Sequence, residues 1–313
     1  MEDTARYRIH LVARHSDWQP QDIRRTLREE VYAGPAAWRQ LWRYLLLGAG
    51  AAFLLSGVFF FFAYNWAALS GTVKIGTAVG AFVAATAAGL FAPLGLPARR
   101  VVLTLAAALI GAVLAVLGQV YQTGANAYDL FLGWALLAAP WALVLAYAPL
   151  WLLLVALVNV TFITYTQQLG VELTYLVSGM LLFGFNLLLW LLLWARYRSR
   201  PGFDWLLRFV AFYAVIVATV NISAGAYDER PRQLFLTVAF AATVYLGWTL
   251  LGLRQRSVFY LALTGGGSLL TLTFLLLRWT EAVNGFFLAG TILLAGVTLL
   301  AQQLNRLNRR WRA

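Results

Sequence analysis

Cysteine is absent from this chain, which excludes disulfides, thiolate nucleophiles and cysteine-based metal sites. Histidine is nearly absent: His10 and His15 are the only two, both in a polar N-terminal stretch. Charge is scarce as well, at 12% of residues against about a quarter in an ordinary soluble domain. No Asp, Glu, Lys, Arg or His falls near the centre of any long apolar run. Proton relays and voltage sensors place ionisable groups there despite their cost, so this lack argues against them. Sodium sites built from carbonyls and hydroxyls stay open. Neither a GxxxxGK[ST] phosphate loop nor an HExxH zinc motif occurs, and no cofactor or metal is expected.

Basic charge is what the sequence has in excess, with a net +12 and a pI near 10.4. Such values invite a nucleic-acid reading. The basic residues, however, stand at the ends of apolar blocks, where membrane topology explains them. No nucleic-acid partner is expected.

Apolar residues dominate the 313-residue chain, at 62% with a mean hydropathy of +0.74. They arrive in blocks near the ~20 residues that cross ~30 Å of hydrocarbon. The expected fold is all-α, a polytopic transmembrane helical bundle of about ten spans. These are 44–65, 73–93, 101–120, 128–147, 149–166, 174–195, 205–225, 233–253, 257–277 and 285–303. Residues 128–166 as one helix would reach roughly 58 Å, about twice a bilayer, so a hairpin is expected at Ala148-Pro149. The first apolar block starts only after Arg43, so the first span is expected to be a retained membrane helix rather than a cleaved leader.

Arginine then sets an orientation. With the N-terminus inside, 20 of the 24 basic residues fall on inward segments. Lys74, Arg230, Arg232 and Arg278 are the outward exceptions. An N-in/C-in topology in a bacterial cytoplasmic (inner) membrane follows, with the lipid bilayer as the first partner. Residues 1–43 form a cytosolic or interfacial N-terminal segment, with a helix from Pro20 to Val31 that Gly34-Pro35 breaks. Residues 44–303 make the bundle, and 304–313 a basic cytosolic tail. The inward loop from Arg196 to Asp204 divides the spans into sub-bundles 44–195 and 205–303 and is a candidate hinge.

Uncharged polar and acidic residues gather at the opposite, outward ends. The candidate outward cluster comprises Asn65, Trp66, Gln119, Tyr121, Gln122, Asn126, Asp129 and Trp134. Gln119 ends a long apolar run, where an amide needs partners, and Asn65 should lie at similar depth. The carboxylates Asp129, Glu172, Asp228 and Glu281 are the outward acids a membrane enzyme would use. Within the spans, Asn159 and Asn186 are expected to bond across helices in a structural role. Gly76 and Gly80 form a GxxxG pair suited to close packing, and Gly265-Gly266-Gly267 suggests a flexible break in the ninth span. GANAYDLFL (124–132) echoes SAGAYDERPRQLFL (223–236), a short match that a structural repeat or chance explains equally well.

GVFFFFAYNWAAL (57–69) followed by Lys74, with LGQVYQTGANAYDLFLGWALLAAP (117–140), resembles the bacterial predicted membrane protein family catalogued as domain of unknown function 2157. The resemblance covers roughly residues 20–145. It rests on Asn65, Trp66, Lys74, Gln119, Tyr121 and Trp134. The family pattern has His after the Tyr where this chain has Gln122, which removes any imidazole role there. By association of genes, the resemblance implies a second membrane protein of the GDYXXLXY type as partner. It implies no biochemical activity. The function expected first is a non-enzymatic membrane component or complex subunit. A transporter or sensor recognising a small molecule at the outward polar site comes second, and a membrane enzyme acting on a cell-envelope substrate third.

Overall fold

A computed structural model describes residues 9, 11–30, 32, 34–65, 69–168, 173–227, 230–278, 280 and 282–312. Within this range the side chains of Glu30, Phe59, Phe62, Ala63, Asn65, Ala282, Val283 and Arg312 are not described. Of the residues singled out above, Val31, Trp66, Glu172, Asp228 and Glu281 lie outside the described ones.

The described residues are helical, without strands. The helices are α1 (Pro20–Glu30), α2 (Pro35–Asn65), α3 (Gly71–Phe91), α4 (Leu96–Val120), α5 (Ala127–Leu145) and α6 (Ala148–Gln168). They continue with α7 (Tyr175–Tyr197), α8 (Asp204–Gly225), α9 (Pro231–Arg254), α10 (Val258–Leu277) and α11 (Ala282–Arg312). Ten of them, α2 to α11, are long and apolar enough to cross a bilayer. The chain is therefore an all-α, multi-pass membrane protein, with the ten spans that its apolar blocks predict.

Boundaries differ where local chemistry overrides hydropathy. The first span helix starts nine residues early, at Pro35, because a proline suits the first helical position, where no N–H is needed. At 31 residues, α2 reaches roughly 46 Å, so its first turns with Trp38 and Trp42 extend beyond the hydrocarbon. The last span also runs on, to Arg312, since nothing in QQLNRLNRRWR breaks a helix. The hairpin expected at Ala148-Pro149 turns slightly earlier. Ala146 takes the left-handed conformation (φ 42°, ψ 55°), and its N–H donates to the Ala142 carbonyl. Pro149 instead occupies the first turn of α6.

The chain divides into two compact units, Met1–Val116 and Leu117–Trp311. In the first, α3 starts at Ser70, whose hydroxyl accepts the Val73 N–H. A Cβ on Gly89 of α3 would collide with Leu103 of α4, so glycine sets that approach. By contrast, nothing lies within 4 Å of a Cβ at Gly76 or Gly80, and the GxxxG pair packs against no described neighbour.

In the second unit, α8 is the central helix. Ala211, Ala214 and Ala218 are fully or almost fully buried, and their small side chains let neighbouring helices close in. Phe183 of α7, Leu206, Val210 and Ile222 of α8, and Tyr245 and Trp248 of α9 share this core. At the arginine-rich end the Tyr197 and Phe203 rings stack at 4.3 Å across the α7–α8 turn. The Arg198 guanidinium lies 4.5 Å over the Trp194 ring. The loop proposed as a hinge is thus closed by two buried, stacked aromatics.

The triple glycine does not interrupt its span, and α10 is continuous from Val258 to Leu277. A Cβ on Gly267 would stand 2.7 Å from Val215 Cγ1 and 3.2 Å from the Tyr245 ring; one on Gly265 would stand 2.7 Å from Leu300 Cδ1. Backbone approach, not flexibility, explains glycine at these two positions. Only Gly266 faces open space.

Candidate ligand-binding site

The sequence-predicted cluster is only partly assembled. Asn65 ends α2, with its side chain outside the described set, as is all of Trp66. Gln119, one residue from the end of α4, is exposed, and its amide makes no hydrogen bond to a described residue. Tyr121 and Gln122 lie exposed in the following turn, with Gln122 in a left-handed conformation (φ 46°). Asn126 and Asp129 do come together. The Asn126 N–H donates to Asp129 Oδ2 at 3.0 Å, and the Asp129 N–H donates to the Asn126 carbonyl at 3.1 Å. That pairing caps α5, so the carboxylate is committed to a helix start. Trp134 packs beside the small core of Ala135, Ala138 and Leu157. Next to the cap, the Tyr128 N–H donates to Gln168 Oε1 at 3.3 Å, and the Tyr128 and Tyr165 rings meet edge-on at 5.4 Å. These contacts join α5 to α6.

A half-open recess lies against α6 and the two helices that follow it. A cavity of about 430 Å³ lies between α6, α7 and α8 at the arginine-poor end of the second unit. Its position follows from how these helices are held. Toward mid-membrane, Asn159 of α6 and Asn186 of α7 form a reciprocal amide pair. Asn159 Nδ2 donates to Asn186 Oδ1 at 3.1 Å, and Asn186 Nδ2 donates to Asn159 Oδ1 at 2.6 Å. Each amide also donates to its own helix, at Val155 O and Leu182 O, so all four amide N–H groups and both amide oxygens are paired. About one turn nearer the arginine-poor end, Phe162 and Leu182 form the cavity floor.

Toward the same end, α7 and α8 approach closely while α6 stands off. A Cβ on Gly225 would collide with Leu176, and one on Gly179 with the Asn221 carboxamide. Asn221 Nδ2 donates to the Leu176 carbonyl at 3.0 Å. Thr174 caps α7, accepting the Val177 N–H, and donates its hydroxyl to Gln233 Oε1 of α9 at 2.6 Å. The start of α7 is thereby pinned on one side, and the recess opens on the other.

The lining is graded. Phe162, Leu182, Ile216 and Val217 make the deeper wall, with Tyr213 among them. Thr166, Gln167, Tyr175, Ser178 and Asn221 stand near the helix ends. Asn221 is only 2% exposed, and its Oδ1 finds no donor. The side chains of Gln167, Tyr175, Ser178 and Tyr213 likewise make no hydrogen bond to a described residue. Asn221 Oδ1 packs against Gly179 and, like the indole nitrogens of Trp151, Trp190 and Trp248, is a buried polar atom without a partner among the described residues. Among the described residues no group of three His, Asp or Glu side chains gathers.

TYTQQ (164–168) and Asn221 are polar stretches near outward helix ends in the sequence, but nothing in either segment connects them. The usable signal was Gly179, a small residue at the height of Asn221 on the next helix. Which faces of α6, α7 and α8 meet is not visible in either run alone.

The family model described as predicted membrane protein (DUF2157) matches residues 19–151. No curated protein and no solved structure matches the chain. The matched region takes in α1 to α5 and the first turn of α6, and the cavity lies beyond it. Asn65, Trp66, Gln119 and Tyr121, from which the resemblance was read, all lie inside the matched region: over residues 19–151 this chain is similar to the predicted membrane protein family DUF2157.

Proposed function

We propose that this protein is a non-enzymatic component of a bacterial cytoplasmic membrane that recognises a small molecule at its outward face, through the cavity between α6, α7 and α8. The observation that carries the reading is that cavity, within the ~300–1,000 Å³ range of small-molecule sites and lined by apolar groups with a few polar ones. N-in/C-in topology, with its inward arginines, puts the site on the outward side. Asp129 caps a helix instead of facing a substrate space, which weighs against acid–base chemistry at that carboxylate. Recognition can serve a sensor or a transport component equally.

A second reading, as a subunit beside another membrane protein such as the GDYXXLXY type, is favoured by the first unit. There α2 buries none of its described side chains, and the Gly76/Gly80 face is open. The two readings are compatible.

Native mass spectrometry of the full chain, released from mild detergent, tests the recognition role. Ile216 and Val220 line the cavity but are 40% and 53% exposed, so a large side chain there fills the space without disturbing the core. Wild type should retain a bound small molecule that Ile216→Trp and Val220→Trp lose, whereas Gln119→Ala keeps it. Equal retention by wild type and both Trp variants would refute recognition at this cavity.

A further inference from the structure

We infer that the arginine-rich end of the second unit is a docking surface for anionic phospholipid headgroups, with the phosphate engaged by Arg208 of α8. The inference is independent of the recognition role proposed above, which concerns the opposite helix ends.

Uncompensated charge is the first observation. Segments 196–208 and 254–259, which contain the α7–α8 and α9–α10 turns, hold Arg196, Arg198, Arg200, Arg208, Arg254 and Arg256 against one acid, Asp204. Topology explains why basic residues gather at one end of the helices, but not what neutralises them. Among the described residues none of the six forms an ion pair, and neither does Asp204. Asp204 and Arg208 have the i,i+4 spacing of a helix salt bridge and do not make one. The Arg208 guanidinium lies instead 5.7 Å from the centre of the Phe259 ring of α10.

Depth is the second. Trp205, Phe209, Phe212 and Ile216 are all exposed, and their alternating four- and three-residue spacing makes one apolar stripe along α8. A stripe of that kind on a spanning helix faces lipid. Arg208 is exposed beside Phe209 on the same stripe, one turn inside the helix start. A guanidinium at the rim of hydrocarbon needs an anion, and one that stacks by its face keeps its N–H edge for a bidentate phosphate contact. Arg198 folds back the same way, over Trp194, one turn nearer the hydrocarbon.

Reach selects the occupant. The turns, 198–203 and 255–257, are short, and the buried Tyr197–Phe203 stack closes the longer one. They offer a soluble partner no platform beyond the helix ends, whereas headgroups already lie at the level of these aromatics. Six arginines against one acid favour a net-negative head over a zwitterionic one, which brings its own ammonium.

The test uses the full chain in nanodiscs of equal parts phosphatidylglycerol and phosphatidylcholine with identical acyl chains, with retained lipids counted by native mass spectrometry. Wild type should retain phosphatidylglycerol in excess. Arg208→Gln should lower that excess roughly fivefold, the worth of one arginine at an anionic surface. Arg309→Gln, which removes the same charge from an exposed position near the end of α11, should leave it unchanged. Equal retention of the two lipids by wild type overturns the inference without needing any variant to fold. An equal fall in Arg309→Gln also overturns it, since general charge attraction would then account for the excess. Displacement of the retained phosphatidylglycerol by excess inorganic phosphate overturns the lipid assignment in favour of a soluble anion.

Discussion

Replacing Asn186 by leucine tests whether the amide pair holds α6 to α7 beneath the cavity. Asn186 is fully buried and exchanges two hydrogen bonds with Asn159. Interhelical hydrogen bonds in membranes contribute about 0.6 kcal/mol on average and up to ~1.7, so two contribute roughly 1–3 kcal/mol. The substitution also leaves the Asn159 oxygen without a donor in hydrocarbon, at a cost of about 1–3 kcal/mol. Leucine is close in size and its added apolar contact offsets part of this. A net loss near ~2–3 kcal/mol is expected for Asn186→Leu, and about the same for Asn159→Leu. The double variant should be no less stable than either single one, because removing both amides leaves nothing orphaned, giving non-additivity of at least ~1 kcal/mol. Steric trapping or SDS titration in bicelles measures all three. Additive losses, or single losses below about 0.5 kcal/mol, would refute the claim that these amides work as a pair.

The adjacent glycines of α10 should respond in opposite senses. Gly267→Ala forces a methyl against Val215 and Tyr245 and should cost ~1–3 kcal/mol, while Gly266→Ala meets open space and should be neutral or stabilising by up to ~1 kcal/mol. Equal effects in the same unfolding assay would restore a hinge reading. Asp129→Ala removes the acceptor for the Asn126 N–H at an exposed helix start. It should cost under about 1 kcal/mol and leave small-molecule retention unchanged by native mass spectrometry. Loss of retention in that variant would return the site to the predicted outward cluster.

Sequence by itself determined the helix count and much of the local detail. An apolar block of bilayer length has one stable solution, a helix, because hydrocarbon supplies no partner for an unpaired backbone group. Pro35, Thr174 and Pro231 start their helices through local chemistry readable from a few residues. Even the structural role of Asn159 and Asn186 was legible, since an amide deep in a span needs a partner. What tertiary structure alone decided was which faces meet. Hydrophobic patterning identifies the buried side of a helix in water, but in lipid the outward face is apolar too, and the signal vanishes. Hence Asn159 was not matched to Asn186 beforehand, nor Gly179 to Asn221, and the triple glycine looked loose until Val215 and Tyr245 were found against it. The cavity is the extreme case. It is an absence of contact among Phe162, Ser178, Ile216 and their neighbours on three helices, and no single segment encodes a gap.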